Sequence, residues 1–187
     1  MQGTDAARVE HNDAPMKPTA FFCALLALPI VFLSDLRAES PDSLETILPK
    51  VLHDAKGDEV DLAQLKGKTV ALYFSAHWCP PCRAFTPSLV KFRDKHAAED
   101  FEIVFVSLDN SEGEKKTYIR EMEMKWLTVP GAQSKDAQAL AKRFQIRGIP
   151  ALVVLAPDGS VVTPNGREDV MASPETALRK WKEKHRS

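Results

Sequence analysis

The chain has 187 residues, with 25 basic against 26 acidic side chains, 44% hydrophobic residues and three cysteines. A net charge of −1 offers no electrostatic grip on nucleic acid or on an anionic membrane. Three cysteines are also too few for a disulfide-rich scaffold.

At the N-terminal end, Ala20 to Leu33 is an unbroken apolar run with Lys17 just before it and Leu36-Arg37-Ala38 just after. The run is shorter than the roughly 20 residues that a spanning helix needs, and it has the length of a secretory h-region. We therefore expect residues 1–38 to be an extension and signal peptide with its apolar core at 20–33, cleaved after Ala38. Residues 39–48 are expected to be a flexible linker and 49–187 the folded domain. The mature chain would be exported to the periplasm; a retained membrane anchor is the alternative. Asp5, Glu10 and Asp13 suit a signal poorly, whereas Met16-Lys17-Pro18 opens an ordinary one. Translation from Met16, or an unstructured segment 1–15, is expected. Cys23 lacks the small residues before it that lipid attachment requires and leaves with the signal. Cleavage after Ala38 keeps about 150 residues, enough for one domain with its own core.

Val51-Leu52 and Val60-Leu62 flank Asp54-Ala55-Lys56-Gly57 and read as a small hairpin, followed by a helical turn over Leu62 to Leu65. Thr69 to Ser75 is a short apolar, β-leaning run. Arg83 to Ala98 has helical spacing, with Leu89 and Phe92 on one face. Phe101 to Leu108 reads as a second continuous apolar strand, of the kind buried on both faces. Ser111 and Glu114 have capping-box spacing and open a helix to about Met124. Trp126 to Val129 is extended, and Asp136 to Gln145 is helical with Leu140, Ala141 and Phe144 on one face. Ala151 to Leu155 and Val161-Val162 bracket the turn Pro157-Asp158-Gly159-Ser160. Ser173-Pro174-Glu175 starts a final helix to about Lys184. Strands alternating with helices and ending in a hairpin and a helix predict an α/β fold: a mixed sheet with helices on both faces.

The chemistry lies in Trp78-Cys79-Pro80-Pro81-Cys82, set between a strand and a helix. Two cysteines two residues apart can close a disulfide and reopen it, and a helix N-terminus favours the thiolate of the first. Zinc needs about four ligands. The pair supplies two, Cys23 lies in the leader, and none of the five histidines forms a second metal-like pair. We expect no metal. A purely structural disulfide would close so little chain that its entropic benefit is small. A reversible dithiol is the stronger reading.

These residues carry a resemblance. Strand, WCxxC, helix with Pro87 five residues beyond Cys82, and the later Gly148-Ile149-Pro150-Ala151 before a strand resemble the thioredoxin fold. The stretch Tyr73 to Pro87, and Trp126-Leu127-Thr128-Val129-Pro130, are similar to the tryparedoxin and nucleoredoxin branch, over about residues 57–181. The resemblance implies a thioredoxin-like α/β fold with an extra N-terminal hairpin. It also implies Cys79 as the exposed nucleophile, Cys82 as the more buried resolving thiol, and Pro150 as a cis-proline holding the Ile149 backbone beside Cys79. Trp78 is expected to shield the sulfurs and line the docking surface with Ile149; Trp126 stands as rim or core. Many thioredoxins have a buried acid six positions before the first cysteine. Here that position is Tyr73, which leaves Glu102, Asp109 or water as the proton acceptor, with Asp109 read mainly as a turn or cap residue. His77 and Arg83 receive no catalytic role.

Pro80 and Pro81 have no N–H to donate to the Cys79 sulfur, so its pKa should fall less than in a loop with free amides. A reducing or intermediate poise follows. The expected function is an exported thiol–disulfide oxidoreductase that reduces protein disulfides, with no cofactor beyond the Cys79–Cys82 pair. Its partners would be disulfide-containing client proteins and, for a reductase, a membrane electron relay; no nucleic acid is expected, and the protein should be a monomer. An oxidase or isomerase is the alternative within the class, and a redox-switched binding module the alternative outside it. Peroxidase activity is the weakest reading, since no separate peroxidatic cysteine exists.

Overall fold

The computed structural model describes residues 43–186; the expected signal peptide and cleavage point lie outside them. The described residues open with a short helix α1 (Leu44–Ile47) and the antiparallel hairpin β1 (Val51–His53) and β2 (Glu59–Asp61), then a 3-10 turn over Leu62–Leu65. Next come β3 (Thr69–Ser75), α2 (Pro80–Lys95), β4 (Phe101–Ser107), α3 (Glu112–Glu121), β5 (Leu127–Thr128) and α4 (Lys135–Arg143). The chain closes with β6 (Ala151–Leu155), β7 (Val161–Thr163), α5 (Gly166–Ala172) and α6 (Ala177–Arg186).

The seven strands make one sheet in the order β2-β1-β5-β4-β3-β6-β7. β3 runs parallel to β4 and antiparallel to β6, and β4 runs parallel to β5. Strand residues point alternately to opposite faces, so a fully apolar strand feeds two cores at once. Ala71, Tyr73, Ile103, Phe105, Leu152 and Val154 pack under α2, α3, α5 and α6. Val70, Leu72, Phe74, Val104, Val106 and Val153 pack against α1, the 3-10 turn and α4. The expected mixed sheet with helices on both faces and an extra hairpin is what forms.

Three local expectations change. Leu44 and Leu48 are buried in the second core, so residues 43–48 belong to the folded body rather than to a flexible linker. The helix expected from Ser173-Pro174 begins later, at Ala177, and a helix that was not expected, α5, precedes it. A turn in which Thr176 N–H and Ala177 N–H both donate to Ser173 O separates α5 from α6, because Pro174 cannot supply an amide to extend α5. Finally, α2 begins at Pro80, with both prolines in its first turn, where a missing N–H costs nothing.

Gly166 lets α5 lie directly on β6. A Cβ there would stand 2.8 Å from Val154 Cγ2 and 2.9 Å from Leu152 O, and a backbone oxygen in a central ladder has little freedom to yield. Gly166→Ala should lower stability by about 2 kcal/mol. Urea unfolding would read this as a lower midpoint at unchanged slope.

Candidate active site

The redox pair lies where β3 hands over to α2. Cys79 is the N-cap residue of α2, and its Sγ accepts from Cys82 N–H at 3.3 Å. Pro80 and Pro81 occupy the two positions between and bring no amide, so one N–H faces that sulfur. Cys79 and Cys82 form a disulfide, with Cα atoms 5.2 Å apart. The expected order of accessibility holds, but the expected exposure of Cys79 does not: Cys79 keeps 3% of its surface and Cys82 none.

The Ile149–Pro150 peptide bond is cis, and Ile149 O lies 3.8 Å from Cys79 Sγ. In the disulfide that sulfur carries no proton, so this is a contact; in the dithiol form it could become a weak S–H···O bond. Trp78 is 52% exposed and lies at the surface beside the pair. Its indole Nε1–H donates to Leu108 O at 3.1 Å, which fixes the ring while leaving one face to solvent. Trp126 is 2% exposed and meets Tyr73 edge-on at 6.2 Å. It is therefore a core residue, and no part of a docking rim. Glu102 is paired with Arg93 at 3.3 Å, beside the start of β4 opposite Val70. The cysteine turn follows the other end of β3, so Glu102 cannot serve Cys82.

Asp109, expected to be a turn or cap residue, anchors the cysteine loop. The carboxylate is wholly buried and accepts from His77 N–H at 2.6 Å and from Ser107 Oγ at 2.8 Å. Leu108 and Asp109, consecutive residues beyond β4, thus hold Trp78 and His77, the two residues before Cys79. Burial raises the Asp109 pKa, against the opposing pull of the His77 amide and the Ser107 hydroxyl. At the rim, His77 Nε2 lies 2.9 Å from Glu121 Oε2 and 3.0 Å from Arg83 Nη1. The neutral ring can accept from Arg83, and the protonated ring donates to Glu121. The hydrogen bond to His77 holds the Glu121 carboxyl below its ordinary range.

Tyr73, in the position where many thioredoxins carry a carboxylate, is wholly buried, and burial pushes its phenol well above the ordinary value. It is a neutral donor beneath Cys82. Ser75, Thr86 and Tyr118 join it there. The sequence reading did not single these three out. Thr86, one helical turn beyond Cys82, was open to a spacing argument; Tyr118, 43 positions from Ser75, carried no local signal.

The profile of the thioredoxin-like family matches residues 67–161. Tryparedoxin of Trypanosoma brucei brucei is 41% identical over 129 residues, which cover 68% of this chain and 88% of that protein. Nucleoredoxin of Mus musculus is 41% identical over 133 residues, and the chain spans only 30% of its length. The solved structure of tryparedoxin from Trypanosoma brucei superposes with a TM-score of 0.65 at 40% identity, covering 72% of this chain and 94% of that one.

A raised Asp109 pKa has a definite sign in stability. Between the ordinary carboxylate value and the raised one, the folded protein keeps a proton that the unfolded chain has released. This group therefore costs stability as pH rises through that interval. Asp109→Asn removes the titration and keeps an acceptor for His77 N–H. In urea unfolding from about pH 3 to about pH 8, wild type should lose stability relative to the variant across the interval and run parallel to it above.

Proposed function

The chain belongs to the thioredoxin-like family, and from that premise we propose that it is an exported thiol–disulfide oxidoreductase that reduces disulfides in client proteins. The observation that carries the reading is the Cys79–Cys82 disulfide at the N-terminus of α2, beside an exposed Trp78 and the Ile149 carbonyl. The Cys79 thiolate attacks a client disulfide, forming a Cys79–client bond and releasing one client thiolate. Cys82 loses its proton and attacks Cys79 Sγ; the internal disulfide forms and the second client thiolate leaves. The client gains two electrons and the pair loses them.

Direction follows from the amide count. A stabilised Cys79 thiolate favours the reduced pair and makes a protein oxidising. With Cys82 N–H as the amide on Cys79 Sγ and two prolines between, that stabilisation is small. The poise is therefore reducing, and the isomerase and oxidase readings are the less favoured ones. Trp78 and Ile149 form the client surface, and an extended client segment fits it better than a small molecule. Export rests on the apolar run Ala20 to Leu33 with Lys17 before and Ala38 after. An exported reductase takes its electrons from a membrane relay. It acts as a monomer, and the disulfide itself is the redox group. A mature N-terminus at Glu39 in the native protein would support export; an intact precursor would oppose it.

Equilibration with thiol/disulfide buffers should give a reversible couple below about −230 mV, whereas a couple between about −180 and −120 mV would make the protein an isomerase or oxidase. Cys79→Ser should abolish disulfide reduction. Cys82→Ser should accumulate mixed disulfides with many proteins. Capture of a single partner, held equally well without a covalent bond, would instead favour a redox-switched binding module, for which the exposed Trp78 is the contact.

A further inference from the structure

Four buried hydroxyls meet beneath the cysteine turn. Tyr73 and Ser75 come from β3, Thr86 from α2 and Tyr118 from α3, and all four are wholly buried. Ser75 Oγ lies 2.9 Å from Tyr73 Oη and 3.0 Å from Tyr118 Oη. Thr86 Oγ1 lies 2.8 Å from Tyr73 Oη and 2.6 Å from Tyr118 Oη. The hydroxyls therefore close a ring. Two further contacts leave it, and both end on the carbonyl oxygen of Cys82: Thr86 Oγ1 at 2.8 Å and Tyr73 Oη at 3.3 Å.

The proton count gives this ring a direction. Each hydroxyl carries one proton, and a carbonyl only accepts. When Thr86 donates to Cys82 O, three protons remain for four sides. With Tyr118 and Tyr73 donating to Thr86 across the two short sides, the one phenol proton of Tyr73 is used, and its 3.3 Å approach to Cys82 O is a contact only. Ser75 fills one of its two sides, which are the longest in the ring. Both phenols thus polarise Thr86, and hydrogen bonds arranged in series strengthen one another. The ring ends in a reinforced donor aimed at the backbone of one residue.

That residue lies in the first turn of α2, where its own N–H has no carbonyl of a preceding turn to bond. In the disulfide, Cys82 is held by its bond to Cys79 and by its N–H on Cys79 Sγ. In the mixed disulfide the bond to Cys79 is broken, and Cys82 is left with α2 and the contacts on its carbonyl. We propose that Thr86, backed by Tyr73, Ser75 and Tyr118, is the positioning device of the resolving cysteine, holding Cys82 in line with the Cys79–client bond. The inference rests on the disulfide-exchange reading above. It assigns the ring no proton transfer: the Cys82 proton passes to water, the Cys79–Cys82 bond forms, and the Cys79–client bond breaks with its electron pair on the leaving sulfur.

Dithiobis-nitrobenzoate separates the two half-steps, because attack by Cys79 releases one coloured thiolate and attack by Cys82 releases the second. In the reduced protein, Thr86→Val should slow the second release about tenfold and leave the first within about twofold, since a small misplacement of the attacking group is costly. Thr86→Ser keeps the hydroxyl and should restore the second release. Tyr118→Phe, which touches neither cysteine, should slow the same phase by a few-fold and stands in if Thr86→Val does not fold. A second release at the wild-type rate in both valine and phenylalanine variants, or a proportional loss of both phases, would overturn the proposal. A wild-type protein that releases one thiolate and never a second would overturn the disulfide-exchange reading itself, and this inference with it.

Discussion

The pairing of β3 on both edges is the constraint from which the site follows. All seven of its residues are buried, and it is held in register from Thr69↔Phe101 to Ser75↔Ser107 on one side and from Val70↔Leu155 to Phe74↔Ala151 on the other. A one-residue slip would send Tyr73 and Ala71 to the opposite face and carry the cysteine turn with them. The same pairing brings the ends of β4 and β3 side by side, so that Leu108 and Asp109 reach the loop before Cys79. It also sets the start of β6, with the cis Ile149–Pro150 bond just ahead of it, beside that loop.

Support for the loop extends outward through polar groups, one exposed and one buried. Gln133 N–H donates to Ser107 O, and its side chain donates to Leu108 O, the carbonyl that also holds Trp78. The segment before Gln133 is held by Lys115, which is buried in α3 and whose Nζ donates to Val129 O at 2.8 Å. Desolvation lowers the Lys115 pKa, opposed by the charges of Glu112 and Asp109. A lysine and an aspartate thus both lie buried behind one redox loop. Each is satisfied by hydrogen bonds, which is the condition on which such groups are tolerated.

At the pair itself, charge is handled sparingly. The prolines of the first turn withhold amides from Cys79, and the groups beneath Cys82 are hydroxyls rather than a carboxylate. Both choices leave the sulfurs in a nearly neutral setting, apart from the dipole of α2. The polar side chains of His77, Arg83 and Glu121 form their own cluster at the rim, where water screens the charges.

Much of this was legible in the chain. The continuous apolar runs at 69–75 and 101–107 announce central strands, Cys-Pro-Pro-Cys between strand and helix announces the redox turn, and Ile149-Pro150 before a strand announces the facing segment. These are local patterns, and periodicity, turn chemistry and proline sterics act locally. The depth of a side chain is a different kind of property. Trp126 and Trp78 are the same residue type near the same site, yet one is core and the other surface, because α3 and the sheet cover only the first. Cys79 is shielded despite its N-cap position because Ile149, 70 residues on, lies against it. Thr86, Tyr118 and Ser75 meet only when α2 and α3 stack on one face of the sheet, and Asp109 becomes an anchor only when β4 ends beside β3. The sequence by itself determined most of the elements, though not α1 or α5, together with the faces of the strands and the reactive pair. The tertiary structure alone decided which polar groups are buried together, because that depends on which distant elements share a face.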